Sequence, residues 1–272
     1  MTPEALVDGL QRRLKKSLGQ NFLLDENVTR LITCEADKFR PFSILEIGPG
    51  AGALTLALCK LQKPITVLEK DDHCARYVAQ VFGAVPGFNV VHGDALEADI
   101  PAFCHDAEKR PILVSNLPYN VASQIYFRFV DADLPLVGMV LMFQREVAHR
   151  FMAKPKTPSY SALSVVAQYY HDIEHVIDVP PESFRPAPKV TSTVLRFAPR
   201  KRALSHDDES RFRSFVHAAF ALRRKTLANS LNGFAGLNRA DWTEKLASLG
   251  FEASIRAEAL SVSEFIRIFQ SI

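Results

Sequence analysis

Short apolar runs alternate with amphipathic stretches over most of the chain. Ser43–Ile47, Ile65–Leu68, Phe88–Val91, Ile112–Ser115 and Leu136–Phe143 have the length and β-branched content of buried strands. Helical spacing separates them, through Leu54, Leu58 and Leu61, over 71–82, and from Val121 with Ile125, Phe129 and Val130 inward. Asp25 suits an N-cap for a helix over 26–37, with Val28, Leu31 and Ile32 on one face. Helices are predicted near 144–152 and 160–170, then two closing strands around Glu174–Val179 and Val190–Phe197. This alternation predicts an α/β fold with a mainly parallel sheet covered on both faces. Residues 1–24 read as a polar, basic arm, in which Gly19 and Asn21 argue for a loop. Ala198–Ser210 reads as a polar linker. Beyond it the spacing is helical only: Phe212, Phe215, Val216 and Phe220; Leu227 and Leu231; Trp242, Leu246 and Leu249; Phe265, Ile266 and Phe269. The expected organisation is an arm (1–24), an α/β domain (25–200) and a small all-α domain (201–272).

Composition narrows the class. With 47% hydrophobic and 23% charged residues, the 272-residue chain reads as an ordinary globular protein. No apolar run approaches the ~20 residues of a membrane span, and Met1–Leu14 lacks a signal-peptide core. A cytoplasmic protein without a membrane partner is expected. Cys34, Cys59, Cys74 and Cys104 are scattered with no Cys-x-x-Cys, which argues for buried or inert thiols and against disulfides or a metal site. Net charge is only +3, but basic residues cluster at Arg12, Arg13, Lys15 and Lys16, at Arg200, Lys201 and Arg202, and at Arg223, Arg224 and Lys225. Any one cluster reads first as a solvated face; three together make nucleic-acid phosphates the better reading.

The candidate chemistry sits at strand ends. Glu46-x-Gly48-x-Gly50-x-Gly52 lies between a strand and a helix, where glycines permit a tight turn and close ligand approach. Glu69 ends the next strand, where an acidic residue typically accepts from ribose hydroxyls. Asp94 follows the third strand, placed to accept from an adenine amine. Such a ladder favours an adenosine-containing cofactor and by itself does not separate S-adenosylmethionine from NAD. Three details favour S-adenosylmethionine. Glu46 precedes the first glycine, suiting a cationic head group and not a pyrophosphate; the third glycine comes one residue earlier than in the dinucleotide pattern; and acidic residues close two successive strands. After the fourth strand comes Asn116-Leu117-Pro118-Tyr119. Pro118 stiffens the turn. The Asn116 side-chain carbonyl, the Pro118 carbonyl and the Tyr119 π-face together suit a planar ring with an exocyclic amine, such as adenine.

At these residues the chain resembles the ribosomal RNA adenine N6-dimethyltransferases, in particular the bacterial small-subunit (KsgA/RsmA) family. The resemblance runs from about Lys15 onward. It rests on Gly19-Gln-Asn-Phe-Leu23, Glu46-Ile-Gly-Pro-Gly50, Asn116-Leu-Pro-Tyr119, Gln144-Arg-Glu-Val147, Val179-Pro-Pro-Glu-Ser-Phe184 with Pro188-Lys-Val190, and Phe220-Ala-Leu-Arg-Arg-Lys-Thr226. It implies a class I, Rossmann-like S-adenosylmethionine-dependent methyltransferase with a helical C-terminal domain. It also implies dimethylation of two adjacent adenosines near the 3′ end of 16S rRNA in the 30S subunit, with a role in subunit biogenesis; apart from the resemblance, no exposed apolar helix stands out in the sequence, so a monomer is expected. Carried over by position, Asn21, Leu23, Gly48, Glu69, Asp94 and Asn116 match cofactor-binding positions. Asn116, Pro118 and Tyr119 match the target-base motif, and Phe184 an aromatic facing Tyr119 across the base. Arg145 stands where a basic residue is usual. From the residues alone, Phe184 reads equally as a loop aromatic capping the core.

Four rivals remain in view. Methylation of 23S rRNA is opposed by Phe220–Thr226 and by Asn116–Tyr119. A catalytically silent RNA-binding assembly factor is opposed by the completeness of the motifs. A NAD-dependent dehydrogenase is opposed by Glu46, and DNA adenine methylation differs only in substrate.

Overall fold

The apolar runs become strands of one sheet in a computed structural model, which describes residues 1–11, 21–103 and 108–272, without the Gln11 side chain. In chain order, α1 is Pro3–Gln11, β1 Phe22–Leu23, α2 Glu26–Asp37, β2 Ser43–Ile47, α3 Ala53–Leu58, β3 Ile65–Glu69, α4 Asp72–Phe82 and β4 Phe88–His92. Then come β5 Pro111–Asn116, α5 Ala122–Asp131, β6 Gly138–Gln144, α6 Arg145–Met152, α7 Ala162–Tyr170, β7 His171–Val179, β8 Phe184–Arg185 and β9 Ser192–Pro199. The chain ends with α8 His206–Phe220, α9 Leu227–Ser230, α10 Arg239–Ser248 and α11 Val262–Phe269.

The sheet order is β4-β3-β2-β5-β6-β9-β7. The five strands from β4 to β6 are parallel, and β9 joins β6 antiparallel. Val114 and Val140, opposite one another in register, are both fully buried, as expected of central strands covered on both faces. The edge strand β4 has no fully buried position: Phe88, Val90 and Val91 are partly buried, and Asn89 and His92 are exposed. Chain order runs outward from β2 to β4, then returns to β5 on the other side. That reversal makes the C-terminal ends of β2 and β5 the switch point where open α/β sheets take ligands.

Two compact units result: Met1–Ala148 with Ile173–Pro199, and His149–Asp172 with Arg200–Ile272. The boundary therefore differs from a single cut near residue 200, because 149–172 groups with the C-terminal helices. Aromatic packing explains this. In the second unit Tyr169 of α7 lies 4.9 Å from Phe212, and Tyr160 lies 6.0 Å from Phe220. Glu209, 3% exposed, accepts from Tyr169 Oη at 3.1 Å and from Arg202 Nη1 at 2.9 Å.

Two expectations need correction. The arm contains α1, whose Leu6, Val7 and Leu10 enter the core of the first unit, with Tyr77 Oη donating to Leu6 O at 2.9 Å. The linker is shorter than 198–210: β9 runs to Pro199, and Ser205 caps α8 with its side chain accepting from Asp208 N. The described thiols are free, as expected: Cys74 is buried, Cys34 is exposed, and Cys59 is half-buried, where burial pushes its thiol up to about 11. The antiparallel pair β1–β8 was not foreseen; two-residue strands carry no readable period. Among the described residues, no helix is long and apolar enough to cross a membrane.

A candidate ligand cavity at the switch point

The loop after β2 is shaped by glycines. Gly50 and Gly52 both adopt positive φ, at 57° and 86°. A Cβ at Gly52 would stand 2.5 Å from Phe82 Cε2, and one at Gly50 would stand 3.1 Å from Phe22 Cε1. A side chain at Gly52 would force Phe82 to move, one at Gly50 would crowd Phe22, and both would sit in a backbone conformation that L-residues rarely adopt. Glu69, at the end of β3, ties this loop down. Its Oε2 accepts from Gly50 N at 3.0 Å and its Oε1 from Asp71 N at 2.8 Å.

A cavity of about 410 Å³ opens between this loop and the one after β5. Its wall includes Asn21, Phe22 and Leu23 from the β1 segment, Glu46, Gly48, Gly50 and Glu69 from the first loop and its neighbour, and Asn116, Pro118 and Tyr119 from the second. Residues 68 positions apart in sequence share this wall because β2 and β5 pair directly, with Glu46 opposite Val114.

Two carboxylates in that wall are nearly dry. Glu46 is 1% exposed and Glu69 3%. Burial pushes the Glu46 carboxyl up to about 8, against the bond that Thr55 Oγ1 donates to its Oε2 at 2.7 Å, with the nearby Glu69 charge adding to the rise. Burial also raises Glu69, opposed by its backbone N–H partners. Among the described residues no cation pairs with either. Two buried acids without a counter-ion fit a ligand that brings positive charge.

The β5 loop is built differently. Asn116 ends its strand half-buried, paired to Met142 through the backbone. Its side-chain amide has no hydrogen-bond partner among the described residues. Pro118 O accepts from Val121 N at 3.1 Å, which leaves its second lone pair available. Tyr119 is half-buried, and its hydroxyl oxygen lies 2.5 Å from Ser192 Oγ.

Not every expected residue meets this cavity. Asp94 is outside its wall; Lys70 Nζ donates to its Oδ2 at 2.6 Å and Leu96 N to its Oδ1 at 2.9 Å. Those donors hold its carboxyl below the usual range, the Lys70 bond first. Phe184 is also outside the wall. It is 4% exposed in the first unit's core, opposite Leu23 in the β1–β8 pair. Missed by the sequence reading were Thr55, whose signal was its position in the first turn of α3, and Ser192, which no local pattern marks.

The basic candidates differ in freedom. Arg12, Arg13, Lys15 and Lys16 lie outside the described residues. Arg145 is exposed at the start of α6. Arg200 reaches Asp172 at 3.3 Å and Gln168 O at 2.9 Å, Arg202 serves the buried Glu209, and Arg223 donates to Pro158 O at 2.5 Å. Lys201, Arg224 and Lys225 are exposed.

The family model described as ribosomal RNA adenine dimethylase matches residues 11–272. A Brucella abortus protein named ribosomal RNA small subunit methyltransferase A is 40% identical over 258 residues, 93% of this chain and 91% of its own length. A Geobacter metallireducens protein of the same name is 39% identical, over 96% of each chain. Among solved structures, a dimethyladenosine transferase from Plasmodium falciparum matches with TM-score 0.76 and 22% identity, over 92% of this chain and 96% of its own. The 23S rRNA methyltransferase ErmE matches with TM-score 0.68 and 25% identity, over 92% and 98%.

Proposed function

The chain belongs to the ribosomal RNA adenine dimethylase family, and from that premise we propose that its substrate is the small-subunit rRNA, at two adjacent adenosines near the 3′ end. It is an S-adenosylmethionine-dependent rRNA adenine dimethyltransferase on a Rossmann-like class I sheet. The small-subunit reading is supported by relatives of that name at about 40% identity along nearly their whole length, against 25% for the 23S rRNA enzyme. The observation that carries the catalytic reading is one cavity walled on one side by buried acids and on the other by Asn116, Pro118 and Tyr119.

Bound S-adenosylmethionine would supply an electrophilic methyl group on a cationic sulfur, which would leave as a neutral thioether as the S–C bond breaks and the N–C bond forms. Glu46, Glu69, Gly48 and Gly50, with Asn21 and Leu23, hold the donor: the acids answer its positive charge and ribose hydroxyls, and the glycine backbone admits it closely. The adenine N6 lone pair is delocalised into its ring, so the amine is a poor nucleophile. Asn116 Oδ1 and Pro118 O accept its two N–H bonds and draw the nitrogen toward a pyramidal geometry. Tyr119 stacks on the ring, worth ~1–3 kcal/mol against the cost of extruding the base. Positioning is the main contribution. No strong base is required, since the proton leaves after the nitrogen has become cationic.

Exposed Arg145, Lys201, Arg224 and Lys225 contact RNA phosphates, with the salt dependence this entails. The chain works as a cytoplasmic monomer on a 30S particle during subunit biogenesis. The test is methyl transfer from labelled S-adenosylmethionine to undermethylated small subunits, with large subunits alongside. Dimethyladenosine confined to small-subunit rRNA is the expected result. Labelling of large subunits would move the substrate to 23S rRNA, and tight binding without transfer would make the chain an assembly factor.

A further inference from the structure

The sheet order β5-β6-β9 sets Ser192 two strands away from the strand that ends in Asn116. Two strand spacings are roughly 9–10 Å, a gap the Tyr119 side chain closes, bringing the two hydroxyl oxygens to 2.5 Å. Either oxygen can donate. Ser192 is a rigid partner: it is fully buried, pairs with Gln144 in the antiparallel ladder, and follows Thr191, whose carbonyl accepts from Arg145 N at 3.0 Å. Tyr119, by contrast, sits on a turn whose neighbours Pro118 and Asn120 are exposed. A phenol keeps its O–H and in-plane lone pair close to the ring plane. A bond at the far end therefore fixes both the axis of the ring and its rotation.

We propose that Ser192 is a positioning residue, whose hydroxyl locks the Tyr119 ring as the surface on which the target adenine stacks. This rests on the methyltransferase reading above. Burial keeps the Tyr119 phenol neutral, so the bond persists across the working pH range. The consequence is greatest at the second methylation. A monomethylated amine must re-seat its ring before transfer, and a fixed platform returns it to the same plane.

The test uses the full chain with Tyr119→Phe, Ser192→Ala and the double variant, on undermethylated small subunits. Tyr119→Phe removes the bond without touching the buried strand, so a folding defect in Ser192→Ala does not blur the result. Each single variant is expected to lower kcat ~10-fold through misplacement of the base. The share of monomethyladenosine should rise, and the dissociation constant for S-adenosylmethionine should stay unchanged. The double variant should be no worse than either single, because both remove one bond. A Tyr119→Phe enzyme with wild-type kcat and product ratio, or penalties that multiply in the double variant, would overturn the proposal. Wild-type protein that methylates no ribosomal particle would overturn the functional reading and this inference with it.

Discussion

The two walls of the cavity are built on opposite principles. The wall after β2 and β3 is closed before any ligand arrives: Glu46 is bonded by Thr55, Glu69 by Gly50 and Asp71, and both acids are buried. The wall after β5 keeps its ligand-facing groups open, with an unbonded Asn116 amide and a half-used Pro118 carbonyl on a stiff turn. A site that takes the same small donor at every turnover can be pre-bonded, since the chemistry of its ligand never varies. A site that receives a base from a large RNA must offer unsatisfied groups and be approachable. The difference separates affinity for the donor, set on the first wall, from catalysis, set on the second.

The sharpest way to break this division is Asn116→Ala. It removes the one side-chain acceptor for the amine and should cost ~100-fold or more in transfer, as lost alignment of the reacting nitrogen does. Calorimetric affinity for S-adenosylmethionine should fall far less. Equal losses in both would mean that Asn116 serves chiefly as a cofactor ligand and that the two walls share their work.

On the first wall the largest effect is expected from Gly52→Ala. A left-handed backbone costs an L-residue roughly 1–2 kcal/mol, before the collision with Phe82 is counted. The unfolding temperature should drop on the order of 5 °C, and donor affinity should weaken about tenfold as the loop shifts. The reading sharpens if kcat at saturating donor is kept. A protein as stable as the wild type would show that the loop absorbs the methyl group elsewhere.

Glu46→Gln probes the same wall through pH. The folded-state carboxyl is raised to about 8 and an unfolded one titrates near 4.5. Between those values the folded chain binds more protons than the unfolded one, so stability contributed by this group is full below 4.5, falls as pH rises to 8, and is level above. Glu46→Gln should remove that slope, leaving the variant more stable than the wild type at pH 8. A cationic donor favours the ionised carboxylate. Its binding to the wild type should therefore release a proton near neutral pH, measurable by calorimetry in buffers of different ionisation enthalpy. The variant should release none from this group. An unchanged stability slope would place the buried proton elsewhere.

Sequence patterns reached the first wall more completely than the second. Glu46, Gly48, Gly50 and Glu69 are punctuation at strand ends, and strand ends were legible because β2, β3 and β5 are short apolar runs with clear stops. The Asn116–Tyr119 turn was legible for the same reason. Ser192 was not, because its role depends on β9 inserting antiparallel beside β6, a pairing between distant segments that no local period encodes. The β1–β8 pair hid for a related reason, and with it the strand partner of Phe184, since Leu23 lies far away in sequence. The N-terminal segment misled by composition: charges after residue 11 masked the helical spacing of Leu6, Val7 and Leu10.

The smallest expected effect lies at Asp94, where the sequence placed an acceptor for the cofactor's adenine amine and the structure shows a carboxylate outside the cavity wall, engaged by exposed Lys70 and by Leu96 N. Asn keeps an oxygen that accepts from the amine and loses only the charge, and a hydrogen bond to a charged group exceeds a neutral one by ~1 kcal/mol, so Asp94→Asn should weaken donor binding only about three- to tenfold. An exposed ion pair contributes ~0–1 kcal/mol, so Lys70→Ala should leave stability nearly unchanged. Donor affinity in Lys70→Ala then carries the information. Tighter binding would show that Lys70 competes with the adenine for Asp94, and that the pre-bonded wall extends to the end of β4. Equal affinity in all three proteins would confine that wall to Glu46, Glu69 and the glycine loop, with Asp94 serving the turn after β4 through Leu96.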